Sequence, residues 1–371
     1  MAATESLGGR ILAAALCLPG LAEPAHADGA PDQGLIAFKY LDYLDYQPGR
    51  ERVRIRAPSL HLLLPLSSRW ALGATAIHDA ISGASPAFHT RAISQLQDER
   101  HAADLTLTRF FDDASLGLTA AYSNEADYRS RGLALSGSWS TEDRNRSWSA
   151  GLGLSKDVIN PVTRLVVDEK KRVLDWTLGL TQVLNPRQVL QLTLGHNRAR
   201  GYLNDPYKVS HERPRARHAT RLLLRFNQHL EDGGQTLRWS LRHYQDSYGV
   251  RAQTAGLEFV QPLPWSFSLT PSLRLHNQRR AAFYVEVDPE AAPFATQPPE
   301  DWLQFSLDQR LSSFGARTLG LKLAWQPTPD WTADVKLEHY AQRGDWYLGS
   351  GSTGLAPFAA RSWQVGLSRS F

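Results

Sequence analysis

Arg361-Ser-Trp-Gln-Val-Gly-Leu-Ser-Arg-Ser-Phe371 closes the chain in alternation. Trp363, Val365, Leu367 and Phe371 fall on one side of a two-residue period, and Ser362, Gln364, Gly366, Ser368 and Ser370 fall on the other. Successive side chains of a strand point to opposite faces, so one face of this segment is apolar and the other small and polar. A strand that meets lipid on one side and water on the other needs this pattern.

The same design recurs upstream. Leu116, Leu118, Ala120 and Tyr122 alternate with Gly117, Thr119 and Ala121; Leu133, Leu135 and Trp139 with Ala134, Ser136 and Ser138; Trp148, Ala150, Leu152 and Leu154 with Ser149, Gly151 and Gly153. Trp176, Leu178 and Leu180, then Leu190, Leu192 and Leu194, then Leu319, Leu321, Leu323 and Trp325 repeat it. The runs are leucine-rich and end in aromatics, which suits the interfacial girdles of a membrane barrel. A soluble sandwich would carry more charge on its outer faces. No stretch after the first residues is long and apolar enough for a transmembrane helix, and no helical period competes. Mean hydropathy is −0.37, which does not exclude a barrel, because only alternate residues are apolar. The fold class expected is all-β: a transmembrane antiparallel up-and-down barrel of about sixteen strands, with fourteen and eighteen as the other counts. The aromatic carboxyl terminus resembles the closing strand of bacterial outer-membrane barrels, which the barrel-assembly machinery reads. Trp363, Val365, Leu367 and Phe371 are its insertion signature.

The amino-terminal segment reads as a cleaved secretory signal over residues 1–27. Arg10 supplies the positive flank, Ile11 to Leu21 the short apolar run, and Ala25-His26-Ala27 the small-x-small site. Residues 28–33 are then a short periplasmic leader, and 34–371 the barrel of a Gram-negative outer-membrane protein. A lipidated Cys17 is disfavoured because Leu16 precedes it. Cys17 is the single cysteine, so cleavage removes every thiol, and with it zinc–cysteine sites, disulfides and cysteine nucleophiles. The arginines are spread through the chain with no compact basic stretch, which argues against nucleic-acid binding.

Turn residues cluster at Leu66-Ser67-Ser68, Asp112-Asp113, Asn185-Pro186-Arg187, Glu231-Asp232-Gly233-Gly234, Pro262-Leu263-Pro264 and Pro327-Thr328-Pro329-Asp330. Longer connections run from Ile81 to Leu96, Asp157 to Lys171, Arg198 to Arg217, Arg280 to Asp301 and Gly344 to Ala360. Short periplasmic turns alternating with long external loops fit an outer-membrane barrel with both ends in the periplasm. Trp302 to Ser313 continues the alternation and reads as a strand extension or loop hairpin outside the membrane.

Several segments at the long-loop ends are distinctive: His78-Asp79-Ala80-Ile81-Ser82-Gly83-Ala84-Ser85-Pro86, Gly201-Tyr202-Leu203-Asn204-Asp205-Pro206-Tyr207-Lys208, Glu212-Arg213-Pro214, His243-Tyr244-Gln245-Asp246-Ser247-Tyr248-Gly249, and Asp308-Gln309-Arg310-Leu311-Ser312-Ser313-Phe314-Gly315-Ala316. Together they resemble an uncharacterised family of Gram-negative outer-membrane barrel proteins, a domain of unknown function, over nearly the whole mature chain. Gln309 stands where Tyr is expected. The resemblance implies an outer-membrane barrel and no established activity. Asp79, Ser82, Gly83, Pro86, Asp205 and Pro206 are its loop candidates. Ser82-Gly83 with Pro86 suits a tight turn, either structural or folding a loop inward to narrow a pore.

Phasing each strand by its leucines places Arg221, Arg225, Arg238, Arg242 and Arg274 on the face turned from lipid. Asp104, Glu258, Asp334, Lys336 and Glu338 share that face. An arginine wall with carboxylates elsewhere would set a transverse field across a wet constriction; the alternative is a salt-bridged network that fills the lumen. The function expected is a porin-like pore for small polar or anionic solutes. The alternative is a plugged barrel that anchors or docks an envelope partner. A surface hydrolase is least favoured: His78, Asp79 and Ser82 offer the residue types, but His78 and Asp79 point to opposite faces and no nucleophile elbow surrounds Ser82. No catalytic residue, cofactor or metal site is expected. Arg198, Arg200, Lys208, Arg213, Arg215 and Arg217 form a basic loop, either solvated or poised for lipopolysaccharide phosphates. Outer-membrane lipids and the assembly machinery are the partners implied.

Overall fold

The computed structural model describes residues 30–83, 96–161, 164–205, 211–287 and 301–371. The signal, Pro86, Pro206 and Lys208 lie outside the described residues. Eighteen strands run in chain order: β1 (Leu35–Gln47), β2 (Arg50–Ser67), β3 (Trp70–Gly83), β4 (Leu96–Phe110), β5 (Ala114–Asn124), β6 (Tyr128–Ser140), β7 (Arg146–Ile159), β8 (Glu169–Asn185), β9 (Gln188–Gly201), β10 (His211–Glu212), β11 (Ala216–His229), β12 (Thr236–Asp246), β13 (Arg251–Leu263), β14 (Phe267–Arg279), β15 (Phe305–Ser306), β16 (Phe314–Thr328), β17 (Trp331–Arg343) and β18 (Phe358–Ser370). All but β10 and β15 form one closed barrel of sixteen antiparallel strands, each beside its neighbour in sequence. The ring shuts where β1 pairs with β18, from Leu35 opposite Ser370 to Tyr46 opposite Ala359. Closure leaves no sheet edge, so every barrel strand is paired on both sides, as hydrocarbon demands.

Cross-strand pairs keep leucine opposite leucine. Leu118 faces Leu135, Leu135 faces Leu152, Leu178 faces Leu194, Leu194 faces Leu222, and Leu321 faces Leu337. These leucines are largely exposed on the polypeptide alone, Leu133 at 59% and Leu118 at 56%. A soluble fold would bury them; here they are the lipid face. A slip of one residue would turn a strand's whole leucine set into the lumen, so the pattern itself holds the register. Trp70, Trp139, Trp148, Trp325 and Trp331 lie at the strand ends nearest the termini, with Phe267 stacked on Trp325 at 5.6 Å between ring centres. Arg109 lies over Trp70 and Arg369 over Trp331. This is an interfacial girdle at the periplasmic rim.

The turns on the side of the termini are short throughout, including one over residues 141–145 that composition did not single out. The opposite side departs from strict alternation of short and long. Its connections at Pro48–Gly49, residues 125–127 and residues 247–250 are short too. The strands also reach farther into the long connections than expected: Asp157 and Lys171 are paired strand residues, and so are Ser82 and Gly83. Ser82-Gly83 is therefore not the turn it was expected to be.

Trp302 to Ser313 is neither a strand extension nor a hairpin of its own. Phe305 and Ser306 pair with Glu212 and His211 from a different connection. A 3₁₀ turn over Gln309–Leu311 follows, its N-terminus capped by the Asp308 carboxylate accepting from the Arg310 amide. The apolar residues that look like strand alternation instead pack sideways. Tyr248, Val250, Ala281, Phe283, Tyr284 and Leu311 make one buried cluster, and Val285, Val287 and Leu307 another. The largest buried apolar cores thus sit in the external connections rather than in the barrel wall.

Candidate functional site

Residues opposite each other in an antiparallel pair share a face, so the register follows the lumen lining round the ring. Arg221 faces Tyr244, Arg225 faces Ser240, Arg238 faces Glu258, Arg242 faces Thr254, and Arg274 faces Gly256 and Thr318. Glu338 faces Gly320 and Ser362, Lys336 faces Lys322 and Gln364, and Asp334 faces Ala324 and Gly366. All lie on the face away from the exposed leucines. Asp104 lies on the same face far round the ring, on β4, facing Thr75 and Ala121.

The lining is lopsided. From β11 to β17 it carries Arg225, Arg238, Arg242, Arg274, Lys322 and Lys336, which outnumber Glu258, Asp334 and Glu338. Across the ring, β5, β6 and β7 line the lumen with Ser115, Gly117, Thr119, Ala121, Gly132, Ala134, Ser136, Ser138, Ser149, Gly151 and Gly153. One wall bristles with long cationic side chains, and these positions across from it are short and neutral, with Asp157 paired to Lys171 above them.

The carboxylates do not stand opposite the arginines as the sequence suggested. Glu258 lies 3.6 Å from Arg238, and Glu338 lies 2.8 Å from Lys336, both on the cationic wall. Of these, Asp104 lies on the far side, where Asp79 and Asp157 also face the lumen, each paired with a cation. Glu258 and Glu338 are thus set into the cationic wall itself. Arg221 is also taken out of play. It crosses Gly195 to reach Asp175, two strands away, at 2.8 and 2.9 Å. A Cβ at Gly195 would lie 2.7 Å from the Arg221 Nε, so only glycine leaves this path clear. Arg225, Arg238, Arg274 and Glu258 point inward and are nonetheless exposed, so water reaches this wall.

The mouth is narrowed from the same side. Gln278, on the lumen face of β14, donates its amide to the backbone oxygens of Arg310 and Ser312 at 2.9 and 3.1 Å. The connection between β14 and β16 is thereby hung inside the rim. Asp308 is fully buried beneath it. It accepts from Arg213 at 2.5 Å and from Arg310 Nε at 2.9 Å, and Arg310 also reaches Asp205 at 2.7 Å. Burial opposes the charge of Arg310, but Asp308 and Asp205 outweigh it and hold the guanidinium protonated. A second pair braces the neighbouring strands: Arg217 donates to Asp246 at 2.5 Å, and Asp246 accepts the amides of Tyr248 and Val250 at 3.0 Å. Ser313 and Ser352 exchange bonds that tie in the connection after β17.

Four of the five distinctive segments of the sequence, all but the one beginning at His78, are thus one assembly. Asp205, Arg213, Tyr248, Asp308 and Arg310 come from three connections and meet, with Asp246 at the end of β12, over the rim of β11 to β16. Their joint role was not readable from the chain, because residues a hundred positions apart carry no periodic signal. Two of the supposed free cations of the basic loop, Arg213 and Arg217, are spent inside this cap. Arg215 pairs with Glu169 at 2.9 Å.

Across the ring, Asp79 lies on the lumen face and pairs with Arg100, while His78 lies outside against His101 with ring centres 4.6 Å apart. A shared catalytic site is excluded by the pleat. Ser82 pairs through its backbone with Arg54 and Gln97. Among the described residues no group of His, Cys, Asp and Glu is arranged to hold a metal ion.

The cap has a pH signature. Burial pushes the Tyr248 hydroxyl up from its ordinary 10.0 to about 12, and burial raises Tyr284 as well. A raised folded-state value means the open cap loses the proton first as pH climbs, so closure is fully favoured below 10 and weakens through about 12. Limited proteolysis of the external connections against pH should show opening across that window, and Tyr248→Phe should blunt the dependence. A flat profile in the unaltered protein would contradict this.

Residues 88–358 match the model of a family described as "Protein of unknown function (DUF3570)". No curated protein sequence matches the chain. Among solved structures, a bacterial polysaccharide outer membrane secretin superposes with a TM-score of 0.53 at 9% identity, covering 91% of this chain and 98% of that one. CdiB from Acinetobacter baumannii superposes at 0.50 with 12% identity, covering 90% of this chain and 60% of that one. The CymD monoaromatic hydrocarbon channel gives 0.47 at 10% identity, covering 95% and 92%. At such identities the likeness is one of fold: the barrel is of the kind found in Gram-negative outer membranes.

Proposed function

Because the chain belongs to the DUF3570 family of proteins of unknown function, a label that carries no activity, we propose from the barrel itself that it is an outer-membrane pore for small polar solutes that favours anions. The observation that carries the proposal is the inward yet exposed set Arg225, Arg238 and Arg274 on a wall where cations outnumber carboxylates. A barrel of this strand number leaves an aqueous channel unless loops fill it. Within a channel, fixed cations raise the local concentration of anions and lower that of cations. The short neutral wall opposite leaves room for a hydrated solute to slide past the arginines. Nothing in this mechanism needs a cofactor or a nucleophile.

The test is planar-bilayer recording of the folded barrel across a potassium chloride gradient. The reversal potential should take the sign of chloride permeation. A closed barrel, with and without the 280–313 connection, would end the proposal.

The cap favours a second reading. A connection hung from Gln278 inside the rim, with its own buried core, is also what a plugged barrel that docks an envelope partner would carry. The two readings part on one result: removing the cap should raise an existing conductance if the barrel is a pore. In a plugged barrel it should create a conductance where none existed.

A further inference from the structure

On the outer face of β6 to β9, Arg131 stands directly opposite Lys156, Lys156 opposite Arg172, and Arg172 opposite Arg200. Four cations on four successive strands thus form one unbroken cross-strand row. All four are exposed. Arg129 and Lys170, also exposed, flank Val158 in the next row toward the strand tips. One pleat below the cations run Leu133, Leu154 and Leu174, the upper edge of the lipid belt.

The row has no internal compensation. The carboxylates of these strands all face the lumen side and are engaged there. Asp157 accepts from Tyr128 and Ser130 and pairs with Lys171; Asp175 takes Arg221 and Asn197; Glu169 takes Arg215. Like charges directly opposite on adjacent strands, about 4.8 Å apart, destabilise a sheet. A sheet that keeps such a row and turns every acid away from it is built to meet negative charge from outside. The level of the row narrows the partner. It lies just beyond the leucines, at the end away from the termini, where the headgroups of the outer leaflet sit and where long cationic side chains extend to the interface.

We propose that Arg131, Lys156, Arg172 and Arg200 form a docking strip for the phosphates of an outer-leaflet glycolipid of the lipid A type. Guanidinium groups take phosphate oxygens in bidentate fashion, and the lysine adds a point charge between them. The acyl chains of the same lipid lie along Leu133, Leu154 and Leu174. Bound phosphate relieves the repulsion along the row, so lipid and sheet stabilise one another.

The test uses the full barrel in uncharged detergent, with native mass spectrometry reading the binding of diphosphorylated lipid A and of the same lipid after dephosphorylation. The unaltered protein should favour the phosphorylated lipid by roughly 10- to 100-fold, as expected for several partly exposed ion pairs acting together. R131Q/K156Q/R172Q/R200Q should erase the preference, and K156Q/R172Q should retain part of it. R109Q/R369Q, at the opposite rim, should leave it intact. No preference in the unaltered protein would overturn the proposal, and that arm needs no variant to fold. An undiminished preference in the fourfold variant, or an equal loss in R109Q/R369Q, would overturn it too. Displacement of the lipid by an equal concentration of inorganic phosphate would also overturn it, assigning a free-anion site instead.

Discussion

Asp308→Asn is expected to open the cap at the mouth while the barrel stays folded. The change keeps the shape of the side chain and removes its charge. Arg213, whose side chain is 1% exposed, then loses the carboxylate it pairs with, and Arg310 loses one of its two described carboxylates while retaining Asp205. Breaking one side of a buried ion pair costs about 3–5 kcal/mol, because the remaining charge stays desolvated. That exceeds what a small satellite core such as Tyr248, Phe283, Tyr284 and Leu311 can readily absorb, so the loss should appear as local opening. Hydrogen exchange would locate it: the amides of Ala281, Val285 and Ser306, bonded across the cap, should lose protection, while those of β5 to β8 keep theirs. Unchanged protection at those three amides would show that the cap does not depend on this charge. If the barrel conducts, its conductance should rise in the same variant.

The second large effect concerns selectivity. Replacing Arg225, Arg242 and Arg274 together by glutamine should move the reversal potential of the pore from the chloride side toward zero. A unit charge about 6 Å from a passing anion contributes about 0.7 kcal/mol in water, roughly 3-fold in local concentration. Three sites acting independently multiply to roughly 30-fold at low ionic strength, and less as the Debye length shortens. Arg109→Gln, on the outer face beside Trp70, removes one such charge outside the lumen and should leave the potential where it is. Equal shifts in both variants would mean that the inner wall does not set selectivity.

The strand number and the lipid face were legible in the chain because both rest on local periodicity. Leu116 to Tyr122 or Leu319 to Trp325 declare their outer face residue by residue, and register follows from keeping those faces aligned. The lumen position of Arg225 and Arg274 came from the same parity. Parity also holds the signal for Asp175, one residue before Trp176 and therefore inward, and for Lys322 between Leu321 and Leu323. The strand ends are not legible where the outer face turns from leucine to cation, as at Lys156 and Arg172, because the apolar signal stops there while hydrogen-bonded pairing continues. The assembly of Asp205, Arg213 and Asp308 had no local signal at all.

Alternation alone determined that this chain closes into a membrane barrel with a polar interior, since each strand's two faces are written into adjacent residues. Only the closed ring decided which strands become neighbours across space. It set Glu258 and Glu338 among the cations rather than opposite them, lined up Arg131, Lys156, Arg172 and Arg200, and buried Asp308 between two arginines. Apart from the neighbouring pairs Lys336–Glu338 and Asp308–Arg310, those are relations between residues far apart in sequence, fixed by register and chain return, which no single strand contains.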